Sequence, residues 1–244
     1  MKKLTTHDIA QMIDHSLLQP MLTRQEMEAG CRIAAQYQCA TVCVKPCDVS
    51  DAHDILESTP VRVTTVIGFP HGSNLTAVKC KEVEMAIRGG CKEVDVVQNI
   101  GRLLSEDTTI VEADLYNVVK VAHQAGLLVK VILENAYLTD EQKILSCKIA
   151  VAAGADFVKT STGYGPGGAT IHDIRLMRAN VPKRVLVKAA GGVRTLDSAL
   201  AVRAVGASRI GATATVKILS EAQEREALGT LYALKADDVP DEAM

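Results

Sequence analysis

The hydrophobic positions of the chain fall into short runs rich in β-branched residues, separated by longer stretches in which apolar residues recur at helical spacing. The runs are Met12 to Leu18, Ala40 to Val44, Val61 to Gly68, Glu93 to Val97, Leu128 to Glu134, Asp156 to Ser161, Arg184 to Ala190 and Ser208 to Ala212. They are largely apolar throughout, which predicts strands buried on both faces, as in a parallel sheet. The stretches between them predict helices opening at Thr23, Asp48, Asn74, Ser105, Thr139, Thr170, Thr195 and Thr215. Thr139 and Gln142 have the spacing of a capping box, and the small-residue turns RGGC, QAGL, AAGA and AVGA suit helix C-termini. Eight strand–helix units in 244 residues predict a single-domain α/β protein, a (β/α)8 TIM barrel, although a doubly wound open sheet has the same local pattern. The barrel is expected over residues 1–232, followed by an acidic, Pro-containing tail over 233–244 that is expected to be mobile.

Ionisable residues inside these runs break the pattern, because a charge between two apolar faces costs desolvation unless it is paired or used. Asp14, Asp95, Lys130, Glu134, Lys159 and Lys188 all sit in or at the ends of predicted strands. Alternation puts Phe157 and Lys159 on one face of their strand and Leu186 and Lys188 on one face of the next. Two lysines at one height on adjacent strands lower each other's proton affinity, and an apolar surround adds to the effect. A fall of ~3 units from ~10.4 leaves about a quarter of such a lysine neutral at pH 7, able to attack a carbonyl and form a Schiff base. A purely structural alternative pairs these lysines with Asp95 and Glu134 to fill the barrel.

Composition narrows the remaining choices. The formal net charge is -2, aromatic residues make up 3% and Trp is absent, which disfavours a nucleic-acid partner. No apolar run has the length of a signal peptide or a membrane span, so a cytoplasmic location is expected. Seven cysteines, an odd and dispersed set, fit a reducing compartment. Cys39, Cys43 and Cys47 are evenly spaced but lack Cys-x-x-Cys or His-x-x-x-His company, so no metal site is predicted. The histidines are dispersed, and His71 in GFPHGS reads as a surface-loop residue. Glycine-bearing turns after the last three strands, TSTGYGPGGAT, AAGGVRT and SRIGATAT, lead into helix N-termini and suit a phosphate.

In order and spacing, IDHSLL, VIGFPHGSN, EVDVVQNIG, KVILE, DFVKTSTG and VKAAGGVRT resemble the deoxyribose-phosphate aldolase family of class I, Schiff-base aldolases, from Ile13 to about Ala214. The resemblance implies a (β/α)8 barrel in carbohydrate catabolism that reversibly cleaves 2-deoxy-D-ribose 5-phosphate to acetaldehyde and D-glyceraldehyde 3-phosphate, with no metal or other cofactor. It implies Lys159 as the Schiff-base nucleophile, Lys188 as its perturbing neighbour and Asp95 as the acid/base working through an ordered water. It also implies substrate contacts from Asp14, Cys43 and Thr162, and a phosphate subsite at Gly163, Gly191, Gly192, Val193, Gly211 and Thr213. The partners implied are the small-molecule substrate and a second copy of the chain in a homodimer. Tyr164 stands where one branch of the family has Lys, and Thr213–Ala214 stand where the last strand usually ends in two serines, which predicts a weakened phosphate subsite. The alternatives are the same chemistry on an unphosphorylated or different deoxy sugar, and a non-covalent sugar-phosphate isomerase.

Overall fold

The computed structural model describes residues 2–243. Eight parallel strands close into a barrel in sequence order, β1 (Ile13–Leu17), β2 (Thr41–Val44), β3 (Arg62–Ile67), β4 (Glu93–Val97), β5 (Leu128–Ile132), β6 (Phe157–Lys159), β7 (Leu186–Ala190) and β8 (Arg209–Ala212), with β8 pairing back onto β1. Closure excludes the open-sheet alternative. Ten helices surround the strands among the described residues: α1 (Thr6–Ala10), α2 (Arg24–Tyr37), α3 (Val49–Leu56), α4 (Thr76–Arg88), α5 (Ile100–Leu104), α6 (Thr108–Gln124), α7 (Asp140–Ala152), α8 (Ile171–Ala179), α9 (Leu196–Ala204) and α10 (Thr215–Ala227).

Alternation along the strands sorts two different interiors. Val42, Val44, Val94, Val96, Val129, Val131, Val158, Val187 and Ile210 pack outward into one continuous apolar layer beneath the helices. The residues between them point into the barrel, where Asp14, Thr41, Thr64, Glu93, Asp95, Lys130, Lys159, Lys188 and Arg209 are all buried. A separate small apolar group, Leu18, Cys43 and Val66 with Phe69 against it, lies on the β1–β3 side of the barrel.

Several expected boundaries move. Thr23, Thr139, Thr170 and Thr195 cap α2, α7, α8 and α9 through their side chains, and α2, α7 and α9 have full capping boxes. Asp48 precedes α3 but makes no side-chain cap bond. Asn74 is not a cap, because Leu75 occupies that position before α4. Ser105 ends α5, a short helix capped by Asn99, and α6 begins after Asp107. Thr215 is the first residue of α10, behind Ala214. The strands are shorter than the apolar runs at their ends: β5 stops before Glu134, whose left-handed backbone (φ 55°) turns the chain out of the sheet.

Residues 233–243 of the expected tail lie against the barrel. Val239 is buried, Arg175 of α8 donates to the carbonyls of Ala236 and Val239, and it pairs with Asp241 at 3.5 Å. Met1 and Met244, the outer ends of the two expected segments, fall outside the described residues. Among the described residues, no helix is long and apolar enough to cross a membrane.

Candidate active site

The C-terminal strand ends open on a cavity of about 450 Å3, lined by Lys159 of β6 and Lys188 of β7, which are direct register partners. The two ammonium groups converge on one carboxylate oxygen: Asp95 Oδ2 accepts from Lys159 Nζ at 2.8 Å and from Lys188 Nζ at 2.7 Å. Asp95 itself is fully buried and does not line the cavity, so it lies behind the two lysines as a shared counter-ion.

The partners of the two lysines differ, and this separates their chemistry. Burial disfavours both ammonium groups, but Lys188 has a second carboxylate, Asp14, at 2.5 Å. Asp14 and Asp95 together outweigh desolvation and hold the Lys188 proton more tightly than in water. Lys159 has a share of Asp95 alone, so burial and the neighbouring Lys188 carry its pKa below the usual lysine range. Asp14 and Asp95 pay their own desolvation but are kept ionised, far below the usual carboxylate range, by Lys188, Arg209 and Lys130 around the first and by Lys130, Lys159 and Lys188 around the second. Burial pushes the Cys43 thiol up to about 12, so it faces the lysines as a neutral group.

Of the other residues singled out in the sequence, Asp14, Cys43, Thr162, Gly163, Gly191, Gly192, Val193, Gly211 and Thr213 line the same cavity. Gly191 and Gly192 take left-handed backbone (φ 79° and 97°) that a side chain would strain, and Gly168 packs so tightly on Gly191 that a Cβ there would overlap its carbonyl. Gly211 lies close to β7: a Cβ at that position would stand 3.3 Å from Ala190 Cβ and in ordinary contact with Lys188 Cε at 3.6 Å. Ala214 does not line the cavity; it packs against the outer apolar layer at the start of α10. Glu134 does not pair with the lysines as the structural alternative required. Its carboxylate instead accepts the Thr162 backbone N–H at 3.2 Å and the Thr162 hydroxyl, which pins the loop after β6.

Four features escaped the sequence reading. Arg194 lines the rim beside Gly191–Val193 and brings a cation there. The loop after β1, Leu18 to Met21, forms one wall. Tyr164 donates its hydroxyl to the Leu18 carbonyl at 2.8 Å and stands edge-on to Phe69, 5.5 Å between centroids, tying that wall to the β6 loop. Below the floor, Glu93 and Arg209 belong to the charged interior. A cation-bearing loop segment such as Val193–Arg194 could have been found from its place next to two glycines, whereas the Tyr164 contact joins residues 146 positions apart and has no local signal.

A family model described as DeoC/LacD family aldolase matches residues 9–220. The chain belongs to this family of aldolases. It is 48% identical over 219 residues to a deoxyribose-phosphate aldolase of Rhodopirellula baltica, covering 90% of this chain and 91% of the relative. It is 50% identical over 215 residues to a deoxyribose-phosphate aldolase of Thermoanaerobacter sp., covering 88% of this chain and 96% of the relative. A tetrameric deoxyribose phosphate aldolase from Aeropyrum pernix superposes with a TM-score of 0.83 at 32% identity, over 89% of this chain and 92% of that one. Membership makes the chain an aldehyde-lyase on a TIM barrel.

Proposed function

We propose that the chain reversibly cleaves 2-deoxy-D-ribose 5-phosphate to acetaldehyde and D-glyceraldehyde 3-phosphate through a Schiff base on Lys159. The observation that carries this reading is the pair of register-matched lysines on one Asp95 oxygen, with the proton affinity of Lys159 lowered and that of Lys188 raised. Two amines tuned in opposite directions can divide nucleophilic and proton-transfer work.

Neutral Lys159 attacks the C1 aldehyde of the open-chain sugar, and loss of water leaves a protonated imine. The C3 hydroxyl gives up its proton, the C2–C3 electron pair moves toward the imine nitrogen, and C3 leaves as the aldehyde of glyceraldehyde 3-phosphate. The remaining enamine takes a proton at C2, and hydrolysis releases acetaldehyde and frees Lys159. Lys188 lines the cavity with its proton held by Asp14 and Asp95, and as the charged group beside the reacting atoms it donates and recovers protons there, with buried Asp95 as its counter-ion. Asp14 holds Lys188 in its charged form, and Cys43 and Thr162 bound the sugar. At the far rim, backbone groups of Gly163, Gly191, Gly192, Val193 and Gly211, with the Thr213 hydroxyl, receive the phosphate; Arg194 adds the cation that Tyr164 does not.

The same proposal includes a homodimer and a cytoplasmic location. Support for the first is the exposed apolar face of Leu75, Val78 and Met85 on and before α4, and for the second the seven unpaired thiols.

The test is reduction with borohydride in the presence of acetaldehyde, read by intact mass and peptide mapping. One ethyl group on Lys159 is expected, and Lys159→Leu should lose both the adduct and turnover. An adduct that persists in Lys159→Leu overturns the assignment, and a parent that converts the sugar phosphate without releasing acetaldehyde and without an adduct favours a non-covalent isomerase.

A further inference from the structure

The floor of the cavity rests on a set of charges of which the reaction steps use only a part. Inside the barrel the buried ionisable groups are three carboxylates, Asp14, Glu93 and Asp95, and four cations, Lys130, Lys159, Lys188 and Arg209. Their contacts are not evenly shared. Arg209 Nε donates to Asp14 Oδ1 at 2.8 Å, and its Nη2 reaches Glu93 Oε2 at 3.0 Å. Lys130 bridges Glu93 at 2.7 Å and Asp95 at 2.8 Å. Lys188 takes Asp14 and half of Asp95, which leaves Lys159 with a shared oxygen. Arg62 also meets Glu93, at 3.0 Å, from the N-terminal mouth of the barrel on the same face of β3 as Thr64, with its side chain 46% exposed, where water screens it.

We propose that Arg209 is a positioning residue for the reaction: by occupying Asp14 and Glu93 it completes a neutral set of three carboxylates and three cations, so that Lys159 is the one amine inside the barrel without a counter-charge of its own. The inference rests on the Schiff-base reading and deepens it, since it says what keeps the nucleophile's proton loosely held. Arg209 does not line the cavity and never meets substrate. A guanidinium suits the task because it stays protonated at any working pH, so the balance it enforces does not drift. Phe157, in register with Leu186 and Lys130 on the flanking strands, offers its ring to both buried cations, 5.8 Å from Arg209 and 5.9 Å from Lys130.

The groups facing Lys159 are accounted for strand by strand. Asp14 comes from β1, the neutral Cys43 thiol from β2, Glu93 and Asp95 from β4, Lys130 from β5, Lys188 from β7 and Arg209 from β8. On the inward face of β3, Thr64 does not titrate and Arg62 at the N-terminal mouth meets Glu93, while Glu134 beyond β5 is engaged with Thr162. Removing Arg209 therefore leaves three carboxylates to three cations, Lys159 among them, and draws Lys188 further onto Asp14, freeing Asp95 for Lys159. Both effects tighten the Lys159 proton. Removing Glu93 does the reverse.

The experiment is the pH dependence of acetaldehyde–borohydride trapping at Lys159, read by mass, in the parent, Arg209→Met, Glu93→Gln, the double variant and Arg209→Lys. The acid limb should move up by roughly one pH unit in Arg209→Met and down by a similar amount in Glu93→Gln. It should return to the parent position in the double variant and in Arg209→Lys. A parent that forms no adduct overturns the Schiff-base reading itself. A parent that forms the adduct, with single variants whose limbs stay in place or move the same way, overturns the role of Arg209 and means that a carboxylate takes up a proton in its stead. Should Arg209→Met fail to fold, Glu93→Gln decides alone, because an unmoved limb there overturns the inference equally.

Discussion

A single carboxylate oxygen distinguishes Lys159 from Lys188. Both amines are buried on adjacent strands and both reach Asp95, but only Lys188 also reaches Asp14. That one extra anion changes the sign of the shift. At the opposite rim, the expectation of a weak phosphate subsite rested on Tyr164 and Ala214, and two positions there bear on it. Ala214 lies off the cavity wall, and Arg194 supplies a cation that the sequence reading passed over. We therefore expect Arg194→Gln to lower the ratio of kcat/KM for 2-deoxyribose 5-phosphate over 2-deoxyribose by about 10-fold, the lower end for a charged hydrogen bond at an exposed position. Ala214→Ser should leave the ratio unchanged. Steady-state kinetics on both sugars checks the pair, and a ratio that responds at 214 but not at 194 reverses the reading.

Among the elements, β1 couples the site to the stability of the barrel. Its inward residue Asp14 serves Lys188, while the next residue, His15, points outward and places Nδ1 2.7 Å from Thr215 Oγ1 at the start of α10. Burial lowers the His15 pKa to about 4. In the unfolded chain it returns to ~6.5, so between these values the unfolded state binds the extra proton. Stability from this group is complete above about pH 6.5 and falls as pH drops toward 4, by up to ~3 kcal/mol. Urea midpoints measured from about pH 7.5 down to about pH 4.5 should fall less steeply in His15→Gln than in the parent; equal slopes would remove His15 from the account. Helix starts were readable at Thr23, Thr139 and Thr195, where a threonine makes a reciprocal box, because that bond is local, although the same box at Thr5, which opens α1, was passed over. They were misplaced at Asn74 and Ser105, where polar residues near a helix start are not the ones that cap it.

For the whole molecule, barrel closure turns eight short strands into one container with two chemistries, apolar outside and charged inside. The outer faces of the helices are exposed, and among them Val78 and Met85 of α4 border a surface groove of about 370 Å3 with Pro46. A homodimer through this face predicts a light-scattering mass twice that of the protomer at micromolar concentration. Val78→Glu should shift it toward the protomer mass, since a charge buried in an interface is costly. A protomer mass in the parent counts against the dimer, and an unaltered dimer in Val78→Glu places its interface elsewhere.

The strand count, the barrel class and the two lysines on a common face were legible in the linear chain, because period-2 alternation and capping boxes act over a few residues. The reason for paired charges inside a parallel sheet was only half legible. Asp14, Asp95 and Lys130 stood out as exceptions, but Glu93 and Arg209, at the first position of their strands, looked like ordinary ends. Closure brings Arg209 beside Glu93, 116 residues away, and Asp14 beside Arg209 across the β8–β1 seam, 195 residues away. The sequence alone determined which groups could titrate inside the barrel. Only the tertiary structure decided which anion each cation met, because buried charges interact by distance and shared partners, and those distances exist only once the first and last strands are joined.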